Sequence, residues 1–362
     1  MINRRKTKKV SIGSVSIGGD SKITVQSMAN TDTRNPDSTV EQISHLQDTG
    51  CDIVRVAVPD MEAANALPSI IKRIKIPLVA DIHFDYRLAL KAMNAGVNGL
   101  RLNPGNIKDP DQIKTVVNKA KEQGIPIRVG ANSGSLSKDW FSGIDMSLTH
   151  EQRVANAMVI GVQNQIKILE NLGFEDIVIS LKSSDVLTCI TAYKLMAQKC
   201  NYPFHLGITE AGPITQGTVK SSIGLGILLY EGIGDTIRVS LTDSPLNEVR
   251  IGHIILQSLG LRREYPEIIS CPTCGRCRIQ VIDIAKQVEE AISKIKCNVK
   301  VAVMGCEVNG PGEAREADIG IAGGMGYGIF FKKGEVIGRV PQDEIVSKLI
   351  HEVKHLSAKG DI

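Results

Sequence analysis

The feature that most constrains this chain is a repeated beat. A short apolar run, often β-branched, is followed by a stretch with helical periodicity, and the pair recurs eight times before residue 260. The runs lie at residues 23–28, 53–58, 78–82, 99–102, 127–129, 177–181, 204–208 and 236–241. Apolar runs of this length that alternate with helical patterns mark βαβ units. The intervening stretches carry helix signals. Ser38-Thr-Val-Glu41 reads as a capping box, residues 111–122 have helical periodicity, and Gly50, Gly96, Gly124 and Gly173 stand where helices stop. Eight units in succession predict an α/β fold, a (β/α)8 TIM barrel. A doubly wound open sheet is the alternative, because periodicity does not show closure. Ahead of the barrel, residues 10–17 alternate like a strand and, with a Gly18-Gly19 turn, read as a short hairpin.

In such barrels the chemistry lies at the C-terminal ends of the strands. There the sequence repeats an oddity. Arg55 interrupts Ile-Val-Arg-Val-Ala-Val, Arg101 interrupts Gly-Leu-Arg-Leu-Asn, Arg128 interrupts Pro-Ile-Arg-Val-Gly, Lys182 ends Ile-Ser-Leu-Lys, and Arg238 interrupts Thr-Ile-Arg-Val-Ser. One charge in an apolar strand is as often a structural ion pair or an edge residue. Five cations on five strands are different: aimed inward, they repel one another unless an anion joins them. Guanidinium forks match phosphate oxygens bidentately, so the pattern points to a multiply charged anionic substrate, most simply a diphosphate. Polar residues accompany the cations: Asp81 and His83, two apart and so on one face, with Asn103, Asn132, Glu210 and Ser240. Any of these is also a possible helix cap, Asn132 foremost. By residue type Glu210 and His83 are the acid/base candidates. His205, inside an apolar run, reads as a satisfied core histidine. No Walker or G-x-G-x-x-G loop competes for the anion, and the Gly-rich run at 323–328 reads as a hairpin turn.

After residue 260 the character changes. Residues 261–266 form a charged, Pro-marked linker, which divides the chain into a barrel domain, 1–260, and a small α/β domain, 261–362. In the second, residues 281–295 read as a helix, 299–304, 317–321 and 328–331 as strands, and 342–357 as a final helix. It carries Cys271-Pro-Thr-Cys274 and, about thirty residues on, Met304-Gly-Cys306-Glu-Val-Asn309-Gly-Pro-Gly-Glu313. Soft thiolates at this spacing suit zinc or an iron–sulfur cluster. No His lies between His253 and His351 to complete a zinc site. Three thiolates and the Glu313 carboxylate suit a 4Fe–4S cluster with one labile iron, whereas Cys277 as a fourth thiolate would close the centre for electron transfer alone. Eight cysteines gathered mainly towards the C-terminus read as metal in a reducing compartment, the cytoplasm. A net charge of +4 and 4% aromatic residues count against nucleic acid, and no apolar run is long enough for a membrane.

The sequence resembles, over essentially its whole length, the bacterial hydroxymethylbutenyl diphosphate synthases of the non-mevalonate isoprenoid pathway. The most specific stretches are Ser270-Cys-Pro-Thr-Cys-Gly-Arg276 and residues 304–313, with support from Gln26-Ser-Met, Val79-Ala-Asp-Ile-His83, Leu100-Arg-Leu-Asn-Pro-Gly105 and Arg128-Val-Gly-Ala-Asn132. The resemblance implies a TIM barrel followed by a cluster domain and one 4Fe–4S cluster per chain, held by Cys271, Cys274, Cys306 and Glu313. It implies reductive conversion of methylerythritol cyclodiphosphate to hydroxymethylbutenyl diphosphate, with electrons from reduced flavodoxin or ferredoxin. It places Arg55, Arg101, Arg128, Asn132, Lys182, Arg238 and Ser240 around the diphosphate and Asn309 where cluster meets substrate. It also implies a homodimer whose sites are shared between chains. Cys277 departs from the family pattern at its position.

Overall fold

A computed structural model describes residues 2–83, 85–107, 109–307 and 314–359. The chain divides into two compact units, Met1–Leu261 and Arg262–Ile362.

The first unit opens with the hairpin β1 (Val10–Ile12) and β2 (Val15–Ile17). Eight parallel strands follow: β3 (Thr24–Met28), β4 (Ile53–Ala57), β5 (Leu78–Asp81), β6 (Gly99–Arg101), β7 (Ile127–Asn132), β8 (Ile177–Lys182), β9 (His205–Leu206) and β10 (Thr236–Ile237). Each begins in one of the eight apolar runs of the sequence, and β7 continues past its run to Asn132. Their order is β8-β7-β6-β5-β4-β3-β10-β9, and a parallel bridge from Ile179 to Phe204 brings the two ends together, so the sheet is a barrel and not an open one. The helices between strands are α1 (Pro36–Asp48), α2 (Met61–Ile71), α3 (Tyr86–Ala95), α4 (Pro110–Gln123), α5 (His150–Asn171), α6 (Val186–Ala197), α7 (Ile214–Tyr230) and α8 (Pro245–Ser258). Their starts are set by short polar side chains that accept from otherwise unpaired first-turn amides: Asn35, Asp60, Asp85, Asp109 and Asp185. The start of α1 corrects the sequence reading. Its cap is Asn35, with Pro36 following, and Ser38 supplies the capped amide instead of being the cap. Gly96 and Gly124 end α3 and α4 in the left-handed region that a side chain disfavours.

The hairpin also differs in one detail. Its turn is Gly13-Ser14, with Val10 opposite Ile17 and Ile12 opposite Val15, and Gly18-Gly19 lies beyond it. The buried face of the hairpin, Val10, Ile12 and Ile17, packs on Ile53, Val79 and Val178, which lie near the N-terminal ends of barrel strands, and so closes the floor of the barrel.

The second unit is a five-stranded sheet in chain order: β11 (Glu267–Ser270), β12 (Lys300–Met304), β13 (Ile319–Gly323), β14 (Tyr327–Lys332) and β15 (Glu335–Pro341). The first three strands are parallel, and β14 and β15 return antiparallel. The amphipathic helices α9 (Val281–Ile292) and α10 (Ile345–Lys359) bury Val281, Ile284, Val288, Leu349 and Val353 against Val301, Val303, Ile319 and Ile321 of the sheet. The sequence pattern does not announce the edge strands β11 and β15. Neither is strongly apolar, and all of β15 except Val340 is exposed. The Gly-rich run at 323–328 is the β13–β14 hairpin connection, where Gly323 pairs with Gly328. Among the described residues no helix is long and apolar enough to cross a membrane.

Candidate active site and thiol bay

The C-terminal ends of the barrel strands bring charge together. Arg55, Arg101, Arg128, Lys182 and Arg238 line one cavity of about 110 Å³, with Asp81, His83, Asn132, Ser180, Thr209 and Ser240. Register explains the convergence. Asp81 pairs with Arg101, Arg101 with Arg128, and Asn132 with Lys182 across neighbouring strands, so polar and charged side chains stand rung to rung, with Arg101 and Arg128 a like-charged pair. Asp81 is the common counter-charge: its carboxylate lies 3.7 Å from Arg101 Nε, 3.9 Å from Arg55 Nε and 3.5 Å from His83 Nε2. His83 Nδ1 is in turn 3.2 Å from Arg101 Nη1.

A second tier holds the other guanidinium groups. Arg128, buried in the barrel, donates to Gln26 Oε1 at 2.6 Å. Arg238 Nε sits 3.5 Å from Glu248 Oε2, a buried carboxylate on α8 that also accepts from the Ser27 hydroxyl and the Leu241 amide. Arg55 points its Nε and Nη2 at Met28 Sδ, 3.1 and 2.8 Å away, a weak acceptor for so strong a donor. Five cations thus face two carboxylates, Asp81 and Glu248.

The imbalance shows in the proton affinities. Burial pushes the Lys182 ammonium well below its usual range, and Arg238, Arg128 and Arg55 push it further. Arg128 is lowered by burial and by Arg55, and Arg55 is brought down to about 10 by burial, with Arg238 and Arg101 adding to it against Asp81. Burial disfavours the Asp81 carboxylate, but His83, Arg55, Arg101 and Arg128 outweigh it and hold the group well below the carboxylate range. An anion entering this cavity would meet cations that lack partners for their full charge.

The structure does not bring every expected residue to the cavity. Asn103 caps the turn after β6, accepting from the Gly105 amide at 3.0 Å, and is not among the lining residues. Asn132, expected beside the diphosphate with a helix cap as the alternative, makes no capping bond and lines the cavity. Glu210 is exposed, in the left-handed region at φ 51°, and it is its neighbour Thr209 that reaches the cavity wall. His205 is buried as expected, but not satisfied: neither ring nitrogen meets a protein partner among the described residues. Ser180, Thr209, Met28 and Glu248 were not anticipated. Alternation could have found Ser180, two residues from Lys182 on the same face of β8.

In the second unit, β11 and β12 are parallel neighbours, with Ser270 opposite Val303. Their C-terminal ends therefore set Cys271 beside the Gly305-Cys306 loop. The Gly305 amide donates to Cys271 Sγ at 3.1 Å, and the Arg278 amide donates to the Gly305 carbonyl at 2.8 Å. Gly305 is required here: a methyl group on it would stand 2.6 Å from Cys277 Sγ and 3.5 Å from Cys271 Sγ. Cys306 is buried, Cys274 is exposed, and all the cysteines are free thiols. Among the described residues no group of three or more Cys, His, Asp or Glu side chains already stands in metal-binding array. Asn309 and Glu313 lie outside the described residues. The donor set nonetheless fits an iron–sulfur cluster: free soft thiols meet at a glycine-cleared bay, and a backbone N–H points at one sulfur, the kind of contact that tunes such clusters.

Residues 7–253 match the GcpE TIM-barrel domain, and residues 267–355 match the GcpE protein C-terminal domain. The chain is 56% identical over 349 residues to the 4-hydroxy-3-methylbut-2-en-1-yl diphosphate synthase (flavodoxin) of Clostridium perfringens, covering 96% of this chain and 98% of that one. It is 54% identical to the enzyme of the same name from Clostridium acetobutylicum over 355 residues, 98% of this chain and 100% of the relative. With that of Maridesulfovibrio salexigens the identity is 57% over 344 residues, 95% and 94% of the two chains. A barrel that gathers cations at one mouth, followed by a domain that presents thiols at the ends of parallel strands, is what these matches span, and the chain belongs to the GcpE family.

Proposed function

We infer that this chain is an iron–sulfur oxidoreductase that makes 4-hydroxy-3-methylbut-2-en-1-yl diphosphate from 2-C-methyl-D-erythritol 2,4-cyclodiphosphate, with flavodoxin as electron donor. The observation that carries this reading is the meeting of five cations from five strands in one cavity, within a chain so similar to synthases of that name. The balance is substrate plus two electrons and two protons giving product and water: a C–O bond of the ring breaks and a hydroxyl oxygen leaves as water.

Arg55, Arg101, Arg128, Lys182 and Arg238 bind the diphosphate, with Asn132 and Ser240 as neutral hydrogen-bond partners, and Asn103 acts through the loop it caps. Strain from like charges is relieved when the anion arrives, so the site is preorganised for it. His83, held between Asp81 and Arg101, delivers a proton at the cavity wall, and Glu210, on the turn after Thr209, is the second acid. Cys271, Cys274, Cys306 and Glu313 would hold one 4Fe–4S cluster per chain, with Asn309 beside it. When bound, such a cluster supplies electrons singly and a Lewis-acidic iron.

The assembly we propose is a homodimer in which each cluster domain serves its partner's barrel. An apolar stripe on α7, with Val219 54% and Tyr230 71% exposed alongside Ile223 and Ile227, is a surface of the kind that association covers. Free thiols throughout suit the reducing cytoplasm.

The test is anaerobic purification with iron and sulfide reconstitution, then incubation with the cyclic diphosphate and reduced flavodoxin. Iron and acid-labile sulfide in equal amounts, with release of the open-chain diphosphate, are expected. Zinc without sulfide, or no turnover by a loaded protein, would sink the reading.

A further inference from the structure

The rim of the thiol bay has a chemistry of its own. Arg276 and Arg278 flank Cys277, both are exposed, and the Arg278 amide is tied to the Gly305 carbonyl, which sets this pair at one edge of the bay. At the other edge β13 runs against the same loop: a methyl group on Gly323 would stand 2.6 Å from the Gly305 carbonyl oxygen. Two residues further on, Met325 is 81% exposed, more than any other large apolar side chain of the described residues. Tyr327 follows, its hydroxyl donating to Glu307 Oε1 at 2.7 Å, directly beside Cys306. The Arg339 guanidinium lies over the Tyr327 ring, 4.6 Å from its centre. Among the described residues none of these three guanidinium groups forms an ion pair with a carboxylate, and the acid within the face, Glu307, is engaged by Tyr327.

We propose that this face, an apolar centre of Met325 and Tyr327 rimmed by Arg276, Arg278 and Arg339, is where an acidic electron-carrier protein of the flavodoxin type docks to reduce the cluster. The inference rests on the cluster reading of the cysteines and on flavodoxin as donor. Three arguments favour this occupant. A small apolar centre with a charged rim is the composition of a transient encounter, and redox complexes sit at the small end of interface sizes. Unpaired surface cations steer an oppositely charged partner and raise its on-rate, which a carrier that must arrive once per electron requires. The competing occupant, the mouth of a barrel, is itself cationic and would be repelled by the same three arginines until it holds its anion.

The experiment uses the reconstituted holoenzyme and stopped-flow reduction of the cluster, followed by its visible absorption. Arg276→Glu, Arg278→Glu and Arg339→Glu are combined in one variant, and the three Arg→Lys changes in another. Each is mixed anaerobically with reduced flavodoxin, or with photoreduced 5-deazariboflavin as a small reductant that needs no docking face. We expect charge reversal to slow reduction by flavodoxin by about tenfold or more at low salt and to flatten its dependence on ionic strength. The lysine variant should keep most of the wild-type rate, and the small reductant should reduce all three proteins alike. An unchanged flavodoxin rate in the reversed variant, with normal reduction by deazaflavin, overturns the docking face. Equal slowing with both reductants also overturns it, because the face would then serve the cluster itself or its closure on a barrel. Failure of wild type to show any reducible cluster would overturn the cluster reading, and this proposal with it.

Discussion

Asp81 and Arg101 end adjacent parallel strands as register partners, and the carboxylate of one stands 3.7 Å from the Nε of the other. The same carboxylate serves Arg55 and His83, so one acid holds together a group of cations that would otherwise repel. Asp81→Asn should therefore destabilise the barrel at neutral pH. The sign follows from its depressed proton affinity. Its stabilisation is present above the unfolded value of about 3.9 and is lost as pH falls towards the lower folded value. The gap in urea midpoint between wild type and variant should be widest near neutrality and narrow below about pH 4. A gap that does not vary with pH would show that Asp81 acts only by packing.

If the cavity holds the diphosphate as proposed, Arg55→Ala and Arg128→Ala each remove a charge-assisted contact to it. Such a loss costs about 1.5–3 kcal/mol, or roughly ten- to more than a hundredfold in affinity. Steady-state kinetics with the cyclic diphosphate should show this, with the visible spectrum of the cluster unchanged. Near-wild-type kinetics for both would remove the diphosphate from this cavity.

Cys271→Ser, Cys274→Ser and Cys306→Ser should each abolish the cluster, as measured by iron and sulfide content. Cys277→Ser should leave it in place. If Cys277→Ser is as damaging as the other three while Glu313→Ala keeps an intact cluster, the centre is held by four thiolates.

A mixing experiment addresses the shared site. Lys182→Ala is expected to inactivate the barrel half of a site, and Cys306→Ser the cluster half. If sites are built across chains, subunit exchange should restore roughly a quarter of wild-type activity, since half the dimers are mixed and each holds one intact site. A mixture that stays inactive after proven exchange means that each chain completes its own site.

The barrel was legible because its signal is repeated. One apolar run is ambiguous, but eight in succession, four of them preceded by a glycine stop, leave few alternatives, and each observed strand begins in its run. The cations were legible for the related reason that a charge inside an apolar strand is conspicuous. What supports them was not. Glu248 lies on a helix surface pattern and turns out buried under Arg238, and Gln26 reaches Arg128 across 102 residues of chain. Such pairings depend on which strands become neighbours, which no local pattern encodes. Glu210 shows the converse. Its residue type suits acid/base chemistry, but the chain leaves β9 and turns left-handed there, and alternation along a strand no longer says where a side chain points. The edge strands of the second unit escaped because exposure removes the apolar signal that marks a strand.

The hairpin that closes the barrel floor also governs traffic. With Ile12 and Ile17 plugging the N-terminal ends of the strands, the mouth lined by the cations is both the entrance and the exit. On the proposed reading the product keeps the diphosphate that the cations bind, and it leaves through the opening by which the next substrate arrives. Product inhibition should accordingly be competitive with the cyclic diphosphate, and slow release of the anion from five cations is expected to limit turnover.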